Sequence, residues 1–199
     1  GLGITCENNE YINIAKNIYN DYLNEEIEVE PNLAASSIAI MANNGDKVLH
    51  KEFFNKYTNS QIPQEKIRFL YSLSEFKSSD LAEETLKMAL SKKIKNQDAP
   101  YLIATTLRNY RHSLIAWNFI EDNWKKINEI FPNNTIPRMF GGIKSISDEG
   151  LAKRVSSFFE KNPIPQGQKT IDQNIEKMKI NLKFVDNQSK ILNNWLNNK

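Results

Sequence analysis

The chain has 199 residues, of which 40% are hydrophobic and 25% charged, with seven Gly and seven Pro. This composition is typical of a globular protein and excludes collagen-like and mostly disordered chains. The 26 Lys and Arg nearly balance the 24 Asp and Glu, and a net charge of +2 argues against a nucleic-acid partner. One Cys and two His exclude an internal disulfide and leave too few ligands for a zinc site within the chain.

The sequence shows no sign of a membrane partner. Its longest weakly polar run, Leu33 to Ala42, is about half of the ~20 residues that a spanning helix needs. The chain begins Gly-Leu-Gly-Ile-Thr, with neither Met nor a signal pattern. We therefore expect a processed or excised piece of a longer protein. As a separate expectation, we assign the protein to the cytoplasm.

Apolar residues recur at spacings of three and four along the chain, which predicts an all-α fold. The first predicted helix has an apolar stripe and ends in an acidic cluster that we expect to be solvated. The stripe is Tyr11, Ala15, Ile18 and Tyr22, and the cluster is Glu25, Glu26, Glu28 and Glu30. A second helix, over residues 33–42, is apolar nearly all round and ends at Asn43-Asn44-Gly45.

Capping residues mark the starts of the next helices. Asp46 is predicted to cap the third helix, and Ser60 with Pro63 marks the start of the fourth. Ser79 or Asp80 is predicted to cap a fifth helix. A sixth is expected to begin at 98–100 and to run through Leu107.

The second half of the chain has the strongest helical pattern. Apolar residues keep the three-and-four rhythm from Arg111 to Phe131, which predicts one five-turn helix packed along its length. A short helix over 136–146 and one capped at 147–149 follow. After the interruption at 163–167, a long helix from about Thr170 is predicted to close the domain. Its apolar residues are Ile171, Ile175, Met178, Leu182, Val185, Ile191, Leu192 and Trp195.

Pairs of helices begin near residues 33, 63, 98 and 135, a recurrence of roughly 30 to 37 residues that is near the lower end of helical-pair repeats. The prediction is a HEAT/armadillo-like superhelix of antiparallel helix pairs with a long C-terminal helix, forming one domain over residues 1–199. A compact orthogonal bundle is the alternative architecture.

No residue pattern predicts catalysis. His50 and His112 have no visible partner and are expected on the surface, His112 at a surface or capping position near a helix start. Cys6 has no neighbouring His. Gly141-Gly142 lacks the preceding strand of a phosphate loop and indicates close helix packing instead.

Several motifs nevertheless have a distinctive residue order. They include 97–100, Leu114-Ile115-Ala116-Trp117-Asn118-Phe119, Phe158-Phe159-Glu160-Lys161-Asn162-Pro163-Ile164-Pro165, and Ile175-Glu176-Lys177 with Trp195-Leu196. These motifs resemble the carboxy-terminal domain of M1-family zinc aminopeptidases, above all in the puromycin-sensitive and tricorn-interacting-factor branch. Similarity at 31–33, 65–73 and 76–77 extends the resemblance over essentially the whole chain.

The resemblance implies a HEAT-like domain that closes the peptide-binding chamber beside a catalytic domain of the same polypeptide. The family's H-E-x-x-H and G-x-M-E-N motifs are absent here. The chain is therefore expected to be inactive alone, to hold no cofactor, and to leave zinc to the catalytic domain. The alternative function is a free-standing helical-repeat adaptor that binds a protein partner.

The resemblance also suggests substrate-binding residues. Arg108 falls where several family members have an Arg in an Arg-Asn-Pro stretch facing the chamber, although Tyr110 replaces that Pro here. Arg108 would then attract a peptide carboxylate, for which a guanidinium is well suited. Arg111, Arg138 and Lys144 lie near predicted helix starts and are weaker candidates for contact with a peptide substrate.

Overall fold

A computed structural model describes residues 3–24 and 28–198, and these residues contain helices and no strand. The all-α prediction is therefore confirmed for the described part of the chain. Contacts between Cα atoms divide the chain into two compact units, Gly1–Thr85 and Leu86–Lys199.

The first unit is built from helices that pack against one another in consecutive pairs. Helix α1 packs on α2, and α3 packs on α4, which is followed by a short 3₁₀ turn at Leu73–Glu75. The helices are α1 Asn9–Asn24, α2 Pro31–Asn43, α3 Lys47–Asn59, α4 Pro63–Ser72 and α5 Ser79–Ala89, and α5 continues across the division into the second unit.

Three aromatic rings form the centre of the first unit. Phe53, Phe69 and Phe76 are fully buried, and the Phe53 ring meets the other two edge-on at centroid distances of 5.0 and 5.7 Å. On α1 the buried residues are Ala15 and Tyr19, whereas Tyr11 is exposed. The predicted stripe of α1 was therefore wrong at Tyr11, and it did not include the buried Tyr19.

Side-chain caps explain where several helices begin. The Asp46 carboxylate accepts from the backbone N–H groups of Val48 and Leu49, both at 3.0 Å, as predicted for α3. Ser78, rather than Ser79 or Asp80, supplies the hydroxyl that accepts from the first turn of α5. The predicted cap was thus wrong by one residue.

The acidic cluster between α1 and α2 is only partly described. Glu25 and Glu26 lie outside the described residues. Glu30 caps α2, since its carboxylate accepts from the N–H groups of Asn32 and Leu33 at 2.9 Å. These two hydrogen bonds to the charged form lower the pKa of Glu30.

The second unit consists of α6 Ala99–Arg108, α7 Ser113–Asp122, α8 Trp124–Ile130, α9 Ile136–Met139, α10 Glu149–Lys161 and α11 Gln168–Asn197. A 3₁₀ helix at Phe140–Ser145 follows α9 and packs against both α6 and α11. Trp117 is fully buried, with the rings of Phe140, Phe158 and Phe159 around it at centroid distances of 5.3 to 6.3 Å.

The single helix predicted from Arg111 to Phe131 was wrong, because α7 ends at Asp122 and α8 begins at Trp124. The side-chain amide of Asn123 donates to the Phe119 carbonyl at 2.8 Å, and its backbone N–H donates to the same oxygen at 3.1 Å. Asn often competes with the helix in this way. Apolar periodicity continues through the break, which hides it from sequence analysis.

Helix α11 has 30 residues, and only its first third is well buried. Ile171 and Met178 are buried as predicted, whereas no described residue beyond Val185 is even half-buried. More than half of the surface of each of six large apolar residues is exposed: Ile180, Phe184, Ile191, Leu192, Trp195 and Leu196. The second half of α11 therefore does not close the domain as predicted.

Candidate functional site

His50 is a core residue, so the prediction of a surface histidine was wrong. Its side chain is 2% exposed, and the Phe76 ring meets it edge-on at 5.0 Å. The Nε2 atom lies 2.8 Å from the Thr85 hydroxyl oxygen, and that hydroxyl donates to the Leu73 carbonyl. The Thr85 oxygen is thus an acceptor for an Nε2–H group. His50 thus fixes α3 against the middle of α5.

Burial lowers the pKa of His50 below its usual 6.5; Lys47 lowers it further, and Glu84 partly opposes the shift. The unfolded chain therefore takes up a proton before the folded chain does, as the pH falls below about 6.5. We expect the free energy of unfolding to fall with pH below this value and to be unaffected by His50 above it. Urea titrations between about pH 5.5 and 8 should show a smaller pH dependence for His50→Gln. Identical pH dependence in both proteins would contradict this assignment.

His112 is also fully buried, at the N-terminal cap position of α7, without a side-chain cap hydrogen bond. Of the two positions expected for this residue, the surface is wrong and the cap position of a helix is correct. Cys6 is exposed. Over residues 3–24 and 28–198, no group of three or more His, Cys, Asp or Glu side chains could hold a metal ion. The donor set of these residues does not fit a zinc site.

Arg108 is the last residue of α6, and its side chain is exposed. The turn that follows it is hydrogen-bonded, although Tyr110 stands where the resembled family has Pro. The Asn109 side-chain oxygen accepts from the Arg111 N–H at 3.1 Å, and the Asn109 carbonyl accepts from the His112 N–H at 2.9 Å. These bonds hold the turn without a Pro. Within the described chain, the Arg108 guanidinium has no ion pair.

Gly142 allows the 3₁₀ helix to lie directly on the last turn of α6. A Cβ atom at Gly142 would lie 2.4 Å from the Ala104 carbonyl oxygen and 2.9 Å from the Arg108 backbone nitrogen. At Gly141, by contrast, a Cβ would meet nothing within 4 Å. The predicted close packing is present at Gly142, and it fixes the backbone from which Arg108 extends.

The other predicted basic residues lie on neighbouring elements of the same unit. Arg138 is exposed on α9, and Lys144 is exposed on the 3₁₀ helix, two elements that both contact α6. Arg111 is half-buried, and its guanidinium carbon lies 4.6 Å from the centroid of the Tyr110 ring. The structure thus places all four residues in the second unit, on α6 and the elements around it.

The exposed apolar residues of α11 form the largest feature that sequence analysis missed. At 100° per residue, the six residues named above fall within one face of about 160°. Lys183, Asp186 and Lys190 lie on the opposite face. Contiguous exposed apolar surfaces of this kind mark sites of interaction with other protein surfaces. The helical spacing of these residues is visible in the sequence, but we interpreted it as the buried face of the helix.

None of the described helices is both long enough and apolar enough to cross a membrane.

Comparison with known proteins gives a family match over most of the chain. Residues 2–180 match the family described as the ERAP1-like C-terminal domain. Glutamyl aminopeptidase of Bos taurus is 28% identical over 204 residues, which cover 98% of this chain and 21% of that protein. Aminopeptidase M1 of Arabidopsis thaliana is 28% identical over 160 residues, covering 78% of this chain and 18% of that protein.

Aminopeptidase 2 of Candida albicans is 23% identical over 198 residues, covering 96% of this chain and 21% of that protein. The chain therefore spans about a fifth of the length of the curated relatives that it matches.

Proposed function

The chain belongs to the ERAP1-like C-terminal domain family, and we propose that it is the noncatalytic carboxy-terminal part of an M1-family zinc aminopeptidase. The family match over residues 2–180 carries this proposal. In the complete enzyme this part would close the peptide-binding chamber and set the access of peptides whose N-terminal residue is removed. We place the parent enzyme in the puromycin-sensitive branch and in the cytoplasm.

In this proposal, bond cleavage belongs to a catalytic domain of the same polypeptide. That domain would hold the zinc ion, which supplies the Lewis acid for peptide hydrolysis when it is bound. The described residues of this chain contain no comparable donor set. The contribution of this chain would be steric and electrostatic: it would restrict access to the chamber and attract the peptide carboxylate through Arg108, with Arg111, Arg138 and Lys144 around it.

The apolar face of α11 supports a contact with the rest of the polypeptide. The family relatives are about five times as long as the matched segment. An uncovered helix end is marginally stable in water, and packing of its apolar face would stabilise it. We propose that this face is covered by another part of the parent enzyme.

The test is peptidase activity on aminoacyl reporter substrates with zinc supplied. We expect the 199-residue chain alone to be inactive and a mixture with the separately made upstream region to be active. Phe184→Ser should lower the activity of the mixture, because it removes a ring from the apolar face. Lys183→Ser, on the opposite face, is the matched control and should have no effect.

Activity of the chain alone would contradict the proposal, as would a mixture of two folded parts that associate but stay inactive. The alternative function is a free-standing adaptor, and the same exposed apolar face of α11 supports it. An adaptor would hold one protein partner over a standard interface of about 1,600 Å², with no need for the upstream region.

A further inference from the structure

A second candidate site lies in a groove between α10 and the junction of α7 with α8. The groove has a volume of about 460 Å³, and its lining includes Trp124, Phe158, Arg154, Glu121, Lys161 and Ser157. This volume falls within the range of small-ligand sites. None of the four basic residues assigned above lines it.

The wall of the groove is aromatic and is supported from behind. The rings of Trp124 and Phe158 meet edge-to-face with centroids 5.1 Å apart. Trp117 contacts Phe158 at 5.3 Å, and Phe140 contacts Trp124 at 5.9 Å. Because these neighbours fix both rings, the wall is formed before a ligand arrives. Such a surface suits a planar ring stacked offset or edge-on.

One cation at the groove is fixed and neutralised. An Arg154 guanidinium nitrogen donates to the Asn118 side-chain oxygen at 2.9 Å and forms an ion pair with Glu121. The other oxygen of the Glu121 carboxylate accepts from the Trp117 indole N–H at 2.8 Å. Through Glu121, Arg154 is therefore connected to the ring of Trp117, which packs behind the aromatic wall. The guanidinium keeps further N–H donors that a ligand could use.

The second cation is available to a ligand. Lys161, in the last turn of α10, is exposed and has no ion pair among residues 3–24 and 28–198. Two cations and one carboxylate line the groove, which leaves one positive charge there without a counter-charge. An anionic group is therefore favoured at the Lys161 end, beside the aromatic wall.

We propose that this groove binds an aromatic carboxylate, with its ring against Trp124 and Phe158 and its carboxylate paired with Lys161. Arg154, which precedes Lys161 by seven residues on the same face of α10, donates a further hydrogen bond to the ligand. Both the free acid of an aromatic amino acid and the carboxy-terminal aromatic residue of a peptide have this chemistry. The site requires only the second unit and is independent of the proposed peptidase function.

The test follows the indole N–H signals of the 199-residue chain by NMR during titration with N-acetylphenylalanine. The chain has three Trp, and Trp124→Phe identifies the signal of the groove. We expect the Trp124 signal to move while the signal of Trp195, which is exposed on α11, stays. The acid should bind at least about fivefold more tightly than N-acetylphenylalaninamide.

Lys161→Gln should abolish the preference for the acid. Lys153→Gln is the matched control, since Lys153 is an exposed residue of the same helix that pairs with Glu149 and does not line the groove. A peptide ending in Phe that binds more tightly than N-acetylphenylalanine would identify a peptide end as the ligand, and equal affinity would identify the free acid. A stationary Trp124 signal, equal affinities for acid and amide, or an unchanged preference in Lys161→Gln would overturn the proposal.

Discussion

Gly142→Ala is expected to destabilise the second unit by about 3 kcal/mol, the upper part of the usual range for overpacking. The added Cβ would lie 2.4 Å from the Ala104 carbonyl oxygen and 2.9 Å from the Leu107 Cβ. The oxygen belongs to the backbone of α6 and has no rotamer by which to move away. Either the 3₁₀ helix must withdraw from α6, or the last turn of α6 must deform.

Gly141→Ala is the matched control, because its Cβ would meet no atom within 4 Å and no glycine among the described residues has a positive φ. This variant should be neutral or stabilised by up to about 1 kcal/mol, through the lower entropy of its unfolded chain. Urea unfolding of the two variants and the parent measures both effects. Equal unfolding midpoints for Gly142→Ala and Gly141→Ala would contradict the close approach seen in the structure.

The helical class was predictable because its signals are local. Apolar spacing repeats within each segment, and a cap such as Asp46 bonds to N–H groups only two and three residues away. The environment of His50 was not predictable in this way, since it depends on Thr85, a residue 35 positions further along the chain. The burial of a lone polar residue is decided by such distant partners.

The candidate sites were harder to predict from the sequence than the helices, because they are formed by contacts between residues far apart in the chain. Residue order identified Arg108 only through a family resemblance, whereas its support by Gly142 comes from a contact across 34 residues. The groove beside Trp124 combines α7, α8 and α10, and its α10 residues lie 30 to 40 positions after Glu121 and Trp124 in the sequence. Helical spacing also gave the same signal for the buried and exposed apolar residues of α11, because periodicity defines a face and says nothing about what covers it.

Arg108→Ala is expected to weaken the binding of peptides with a free carboxylate by about 1 to 3 kcal/mol in the complete enzyme. This prediction depends on the proposed function. The guanidinium can form a charge-assisted, two-pronged hydrogen bond with a carboxylate. Arg108 is suited to that role because its side chain is exposed and its backbone is held between the Gly142 contact and the turn at Asn109.

The decisive comparison is between a peptide with a free carboxylate and the same peptide with an amidated end. Arg108→Ala should raise the inhibition constant of the free acid and leave that of the amide nearly unchanged, because the amide carries no negative charge. Arg108→Lys should recover part of the loss, since it keeps the charge and loses the planar fork. Lys125→Ala, an exposed cation on α8, controls for a general change in charge. Equal losses for acid and amide would show that Arg108 supports the fold of the chamber wall and does not bind the carboxylate.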